Sequence, residues 1–315
     1  LLNHRAMRHP SRSSQCPCLL CLVLIQLARG LRVPAPQVKA AESEAPLIKF
    51  VTMDTRDPRR EIPVLGVPGI TAENAGVGKY WYGDSAKPDY YAEWLSNSSL
   101  DPNTLVVLAD VDVIYGGCGL EWMAQEWERQ TRLSGVRVVG AAEMGFWPDN
   151  DEQTRLRYAR LDTRVNATLA ASGLDGAAYS RHLWCPMWNG APCGNPPALR
   201  HVNSGFLMGR VRDLRQAVHE AQAVKGVMRD PEDQRAWSLY YLVNDDKMTL
   251  DYTGSLFISM YGLVPWEVLV PKDGILLNNV TGRRACLTHW NGQSRGMHNI
   301  FLERLPFNDT SLKRW

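Results

Sequence analysis

The segment LVVLADVDVIYGG, residues 105–117, decides the fold class of this sequence. Its first five residues are apolar, and Asp110 and Asp112 follow directly. A short apolar run of this kind is typical of a strand that is buried on both faces. Charges at the end of a buried strand need a partner, because an isolated buried carboxylate is costly. Since residues i and i+2 of a strand point the same way, we expect both carboxylates to reach one cation.

The chemistry of these two aspartates favours a divalent ion. Carboxylate oxygens are the ligands that Mg²⁺ and Mn²⁺ prefer, and such ions commonly bridge a protein to phosphate groups. Asp-x-Asp alone fits helix capping or a salt bridge equally well, but Gly116 and Gly117 after the apolar run favour a site. The sequence has no glycine-rich phosphate loop of the dinucleotide-binding or Walker A type. A nucleotide would then be held through metal and side chains, which favours a nucleotide-sugar transferase over a dehydrogenase or an ATPase.

Helical and strand patterns alternate on both sides of this segment. The patterns predict strands at 47–53, 105–109, 136–143 and 201–210, later strands within 248–260 and 286–292, and helices at 86–97, 120–134, 211–224 and 229–242. Residues 145–200 are rich in Trp, Pro and Gly and predict a long loop region with one helix. This alternation is typical of an α/β fold with a mostly parallel central sheet and helices on both faces. In such a sheet, ligands bind beyond the carboxyl ends of the strands.

The N-terminal segment differs from the rest of the chain. Basic residues precede the short apolar run CPCLLCLVLIQLA, residues 16–28, and small residues follow it. This pattern predicts a signal peptide over residues 1–30, or alternatively an uncleaved signal anchor. Residues 31–46 are interpreted as a flexible linker, and residues 47–315 as one domain. Membrane attachment is expected only if the first segment is retained.

Sequons and cysteines agree with the secretory pathway, in the endoplasmic reticulum, the Golgi lumen or outside the cell. Four Asn-x-Ser/Thr sequons occur, at Asn97, Asn166, Asn279 and Asn308. Four of the seven cysteines lie outside the predicted signal peptide. Cys185 and Cys193 flank a turn-rich stretch and favour a local disulfide, whereas Cys118 and Cys286 are left open as bonded or as free buried thiols. The net charge of +2 gives no reason to expect a nucleic-acid partner.

Two further clusters carry groups suited to chemistry. In LTHWNGQSR, residues 287–295, His289 is a candidate third metal ligand and Arg295 a candidate partner for a phosphate. In RDPEDQRAWSLYYL, residues 229–242, Asp230, Glu232 and Asp233 stand at a predicted helix start. Capping accounts for one acid, and another carboxylate there could orient an acceptor hydroxyl.

Six motifs in this order resemble the glycosyltransferase domain of procollagen lysyl hydroxylases and related collagen glycosyltransferases. They are VVLADVDVIYGG, AAEMGFWPD, HVNSGFLMGR, PEDQRAWSLYYL, LDYTGSLFISMYG and THWNGQSR, and the resemblance runs from about residue 47 to residue 306. It implies a nucleotide-sugar transferase fold of the GT-A type. It also implies Mn²⁺ (or Mg²⁺), a UDP-sugar donor, and an acceptor that is a glycan or a hydroxylysine-containing protein.

The resemblance implies roles for individual residues. The metal ligands would be Asp110, Asp112 and His289. The donor would be bound by Val51, Thr52, Lys87, Gly292 and Arg295. Asp233 and Trp147 would lie on the acceptor side as catalytic residues.

The sequence also departs from this family. The family separates its aspartates by two residues and has Tyr before the second, whereas here one residue, Val111, separates them. Trp290 stands where the family has Gly, which suggests a narrower donor pocket. Two alternatives from other classes are a metal-dependent phosphoester hydrolase, which would need more ligands around two ions, and a non-catalytic sugar-binding module that uses some of the eleven Trp.

Overall fold

A computed structural model describes residues 48–56, 71–149, 151–176, 199–228, 232–263 and 265–304. The predicted signal peptide, the linker, the Cys185–Cys193 disulfide, Asp230 and the sequon at Asn308 lie outside the described residues. They therefore stay predictions.

The centre of the fold is a six-stranded mixed sheet. Its strands are β1 (Ile48–Thr52), β2 (Thr71–Asn74), β3 (Leu105–Ala109), β5 (Val138–Glu143), β6 (His201–Arg210) and β7 (Met248–Leu250). They lie in the order β2-β1-β3-β6-β5-β7. Strand β6 is antiparallel to its neighbours β3 and β5, and the other pairs are parallel. Five strands thus run in one direction, and the predicted α/β class with a mostly parallel sheet is confirmed.

Both faces of the sheet are covered. The helices are α1 (Ala86–Asn97), α2 (Leu120–Ser134), α3 (Glu152–Ala171), α4 (Val211–Gly226), α5 (Asp233–Val243), α6 (Pro265–Val268) and α7 (Arg295–Arg304). Alternate residues of β3 point to opposite faces, as a pleated strand requires. Val106 and Leu108 pack in a core with side chains of α1, α4 and α5. Leu105 and Val107 pack in a second core with α2.

Two small sheets were not predicted from the sequence. Strand β4 (Val113–Tyr115) lies in the order β4-β12-β8 with β12 (Leu287–His289) and β8 (Phe257–Ser259). Strands β9 (Leu269–Lys272), β10 (Ile275–Asn278) and β11 (Arg283–Arg284) form an antiparallel meander. The stretch 248–260 therefore forms two strands in different sheets. The Asp251 carboxylate shapes the bend between them, because it accepts the backbone N–H groups of Leu256 and Phe257 at 2.6 and 3.0 Å.

A disulfide links Cys118, three residues after β4, to Cys286, directly before β12. It spans 168 residues of sequence and closes one end of the antiparallel β4–β12 pair. The open alternative for these two cysteines is thereby decided in favour of a bond.

Among the described residues, none of the helices combines the length and the apolar character that crossing a bilayer requires.

Candidate functional site

The two aspartates of the opening segment lie in a turn rather than in a strand. Strand β3 ends at Ala109, and the Val113 N–H approaches the Asp110 carbonyl oxygen at 3.4 Å before β4 begins. Both carboxylates were expected on one face of a continuing strand, and that expectation is wrong. The tight turn achieves the same result, because it brings the two side chains together at the carboxyl end of β3.

His289 reaches these aspartates through the small sheet. It is the last residue of β12 and is paired with Val113, the residue after Asp112. Its Nε2 atom lies 3.0 Å from Asp112 Oδ1 and 3.6 Å from Asp110 Oδ2. The close approach needs Gly205 on β6, since a Cβ atom there would lie 2.6 Å from the ring atoms Cε1 and Nδ1 of His289.

These three residues form a candidate metal site. One ligand atom from each of Asp110, Asp112 and His289 lies within 4.8 Å of the others, and the described residues contain no second group of this kind. Two carboxylate oxygens and one imidazole nitrogen form a donor set that suits a divalent metal ion. Burial would raise the pKa of Asp112, but His289 and Arg295 outweigh it and hold the pKa below its usual range. A charged Asp112 carboxylate is the form that binds a cation. The residues present therefore fit a divalent ion.

Lys87 of α1 connects this cluster to a second carboxylate. Its ammonium lies 2.9 and 3.2 Å from the two Asp110 oxygens and 2.5 Å from Asp233 Oδ2. Burial alone would lower the pKa of Lys87, but the two aspartates outweigh it and raise the pKa well above its ordinary value. Lys87 is therefore a permanent cation. Its ammonium bridges Asp110 of the metal cluster and Asp233 at the start of α5.

A cavity of about 570 Å³ opens beside these groups. It lies beyond the carboxyl ends of β1 and β3, as the rule for parallel strands predicts. Within the part of the chain that the structure describes, three cations line it, namely Arg56, Lys87 and Arg295. Arg56 makes a two-pronged ion pair with Asp54, at 2.7 and 2.9 Å, and Arg295 lies 3.5 Å from Asp112 Oδ2. The described residues that line it are Met53, Asp54, Thr55, Arg56, Trp81, Asp84, Lys87, Asp110, Val111, Asp112, Trp290, Arg295 and His298.

The other residues singled out in the sequence lie at varying distances from this cavity. Val51 and Thr52 are buried in β1 and do not line it, and the next four residues, 53–56, take that position. Gly292 begins a short 3₁₀ helix between His289 and Arg295, with a positive φ of 55°. Trp147 has an exposed side chain, and its carbonyl oxygen accepts the Gln234 side chain at 3.2 Å. The binding and catalytic roles of these residues stay predictions.

Trp290 lines the cavity but is also part of the core. Only 1% of its surface is exposed, and its ring packs against His298 and Phe301 with centroids 5.4 and 5.1 Å apart. Its indole N–H donates to Thr288 Oγ1 at 3.2 Å. The residue therefore forms one wall of the cavity from a fixed position.

Several residues of the site were not predicted from the sequence. Asn203 and Gly205 lie against the His289 ring, Glu143 accepts a hydrogen bond from Asn203, and Asp54 and Arg56 follow β1. Glu143 and Asn203 did carry a signal, because each is a polar residue inside or ending an apolar strand. Such a residue needs a hydrogen-bond partner when it is buried.

Glu232 gives a pH prediction that is separate from the metal cluster. It caps α5 through the Arg235 N–H at 2.7 Å, and burial, reinforced by the neighbouring Asp233, raises its pKa from 4.5 to about 8. A raised pKa in the folded state means that Glu232 contributes stability below pH 4.5, and that this contribution is lost as the pH rises through about 8. We expect the free energy of unfolding to fall over this interval, and to fall less in Glu232→Gln. Urea unfolding of both proteins across the interval measures this, and parallel curves would contradict it.

The structure thus defines an α/β protein with a candidate divalent-metal site beyond the carboxyl ends of the parallel strands in a mixed sheet. No known family model matches the chain, and no curated protein matches it. Its fold is similar in outline to solved glycosyltransferases. One acts in glycosylation of the major capsid of PBCV-1 (8% identity, TM-score 0.41, 80% of this chain and 97% of that one). Another is mouse xyloside xylosyltransferase 1, with 12% identity and a TM-score of 0.34 over 71% of this chain and 76% of that one. A third is the galactosyltransferase LgtC, with 11% identity and a TM-score of 0.35 over 78% of this chain and 87% of that one. At this level of similarity no residue role is transferred to the chain.

Proposed function

We propose that this protein is a metal-dependent glycosyltransferase that moves a sugar from a nucleotide-sugar donor to a hydroxyl acceptor. One observation carries the proposal, namely the Asp110–Asp112–His289 cluster at the wall of a 570 Å³ cavity lined by three cations. A cavity of this size suits a ligand of nucleotide dimensions. The cations suit a diphosphate, and the carboxylates need a metal ion before a polyanion can approach them.

The charges divide the cavity into two parts with different tasks. Asp110, Asp112 and His289 would hold the ion, and a bound divalent ion would neutralise the diphosphate as the sugar–phosphate bond breaks. Arg295 is largely exposed and lies 3.5 Å from Asp112, so its guanidinium can turn towards a phosphate oxygen. Arg56 lines the same cavity while paired with Asp54, which fixes its direction.

Asp233 is suited to the acceptor side. It is buried, and its Oδ1 atom accepts the Gln234 N–H at 2.7 Å while Oδ2 faces Lys87. These contacts hold the carboxylate in a fixed orientation. A carboxylate fixed in this way can orient an acceptor hydroxyl or stabilise positive charge on the reacting sugar.

The finer parts of the proposal rest on the resemblance of the six motifs. They are a GT-A type of fold, UDP as the nucleotide, Mn²⁺ as the ion, and a glycan or hydroxylysine-containing protein as the acceptor. A location in the secretory pathway is part of the same proposal. The Cys118–Cys286 disulfide supports that location, because such bonds persist in oxidising compartments.

Turnover of UDP-sugars tests this function directly. The purified protein is incubated with a panel of UDP-sugars, with and without Mn²⁺, and release of UDP is measured. We expect at least one donor to be hydrolysed slowly, and only with the metal. Hydrolysis of simple phosphoesters instead would indicate a hydrolase. Saturable sugar binding without any turnover would indicate a sugar-binding module.

Trp290 gives a prediction about donor choice. A full truncation to Gly would leave a hole in the core, and removing a buried Trp typically costs about 3–5 kcal/mol. Trp290→Phe is the better probe, because it keeps a ring against Phe301 and still enlarges the cavity wall. We expect this variant to accept a broader set of UDP-sugars at somewhat reduced stability. The same donor profile in variant and wild type, measured across the panel, would count against the role.

A further inference from the structure

Glu143 is a buried carboxylate that the proposed chemistry does not use. It ends β5 and is only 2% exposed. Its described hydrogen-bond partners are neutral amides and a hydroxyl rather than a lysine or an arginine. Oε1 accepts Gln234 Nε2 at 2.6 Å, and Oε2 accepts Asn203 Nδ2 at 3.0 Å, Asn291 Nδ2 at 3.1 Å and Ser259 Oγ at 3.2 Å. A buried acid with four such donors fixes the orientation of the side chains that donate to it.

Asn203 can adopt one orientation in this network. Its amide oxygen must face the Gly205 N–H, 2.9 Å away, because a backbone N–H only donates hydrogen bonds. Its amide nitrogen then faces Glu143 and donates to Oε2 at 3.0 Å. The same oxygen lies 3.2 Å from Nδ1 of His289. An oxygen with no hydrogen of its own makes Nδ1 the donor, so the Nδ1 atom of His289 carries a proton.

This arrangement determines which nitrogen of His289 faces the aspartates. With Nδ1 engaged as a donor to Asn203, Nε2 is the ring nitrogen that faces the aspartates, 3.0 Å from Asp112, and it is the atom that can give its lone pair to an ion bound there. Histidine metal ligands usually donate their other N–H to an oxygen, which fixes both the tautomer and the ring orientation. We propose that Glu143, acting through Asn203, is the positioning residue that holds His289 ready to bind a divalent ion. This inference rests on the proposed function, because it assigns a role towards the same metal site.

Glu143 also joins the metal side of the cavity to the acceptor side. Gln234 follows Asp233 at the start of α5, and its side chain donates both to Glu143 and to the Trp147 carbonyl oxygen. Asn291, two residues after His289, donates to the same carboxylate. A single buried carboxyl group therefore connects His289 to the two residues predicted on the acceptor side.

Calorimetric titration of the whole protein with Mn²⁺ alone tests the positioning role. In Asn203→Ala the His289 ring loses its oxygen partner, and we expect Mn²⁺ affinity to fall by about 10–100-fold, as is typical when an outer partner of a metal ligand is removed. Glu143→Gln keeps the side-chain volume but replaces one acceptor oxygen with a donor, and we expect a smaller fall. Asp251→Asn is the matched control. Asp251 is fully buried, accepts backbone N–H groups and does not line the cavity. It should lose stability and keep the wild-type Mn²⁺ affinity.

The outcomes separate this inference from the proposed function. If the wild type binds Mn²⁺, Asp112→Ala does not, and Asn203→Ala binds as tightly as the wild type, the metal site stands and the positioning role is overturned. If the wild type binds no Mn²⁺, the proposed function fails, and nitrogen NMR of the His289 ring decides the positioning role. An Nδ1 proton held in a hydrogen bond in the wild type but released to exchange in Asn203→Ala or Glu143→Gln supports it, and an unchanged Nδ1 signal overturns it.

Discussion

Asp112→Ala is expected to lose sugar transfer completely and to bind UDP more weakly than the wild type only when Mn²⁺ is present. Asp112 supplies the oxygen nearest to His289 Nε2 and faces Arg295 with its other oxygen. Without it, Asp110 and His289 remain, and Asp110 is already shared with Lys87. Two ligands, one of them shared, hold an ion poorly. We expect Mn²⁺ affinity to fall by about 10²-fold or more, at least as much as for loss of an outer partner.

Calorimetry with UDP, in the presence and absence of Mn²⁺, measures this effect. The matched control is Asp246→Ala, because Asp246 is an exposed aspartate outside the cavity. The control should bind UDP as the wild type does under both conditions. Equal UDP affinity of Asp112→Ala and the wild type in the presence of Mn²⁺ would remove Asp112 from the metal site.

Asp233→Asn is expected to keep donor binding and to lose turnover by about 10²-fold or more, the range for one positioned acid–base group. The amide keeps an oxygen for the Gln234 N–H but removes the charge that faces Lys87. Capping alone would leave folding almost unaffected, but the structure predicts a loss of stability. Removing one partner of a buried ion pair typically costs about 3–5 kcal/mol. The cost is smaller here, because Lys87 keeps Asp110.

Steady-state kinetics and thermal unfolding together separate chemistry from folding. Asp162→Asn is a suitable control, since it breaks the ion pair of Asp162 with Arg200, which lies outside the cavity lining. It should reduce stability and leave turnover unchanged. Near-normal turnover in Asp233→Asn would make the carboxylate a structural group, and Glu232 would become the next candidate.

Much of the central fold follows from local patterns. The apolar run 105–109 and the amphipathic segment 120–134 became β3 and α2 with the predicted bounds, because burial and helical periodicity agree there. The small sheets could not be predicted in the same way. Strand β4 has three residues and β12 has three, and they exist through pairing with each other. Pairing across more than 170 residues leaves no local pattern in a sequence.

The candidate site was also predicted only in part. The two aspartates stand out because charges follow a buried strand, and His289 and Asp233 stand out at a predicted strand end and a predicted helix start. Lys87 was selected only by the resemblance of the motifs. Their mutual contacts depend on the turn after β3 and on the register of β12, neither of which a sequence pattern gives. Glu143 and Asn203 were missed because a buried polar residue shows its purpose only when its partner is known. The Cys118–Cys286 bond was left open for a similar reason, since its cysteines lie 168 residues apart.

The central claim is that Asp110, Asp112 and His289 hold a divalent ion that in turn holds a nucleotide diphosphate. A crystal of the wild-type protein grown with Mn²⁺ and UDP tests it most directly, by anomalous scattering from the metal. The account predicts one strong anomalous peak at coordination distance from those three side chains, with phosphate oxygens of UDP bound to the same ion. A cavity that contains UDP but no metal peak, or a peak held by other residues, would contradict it.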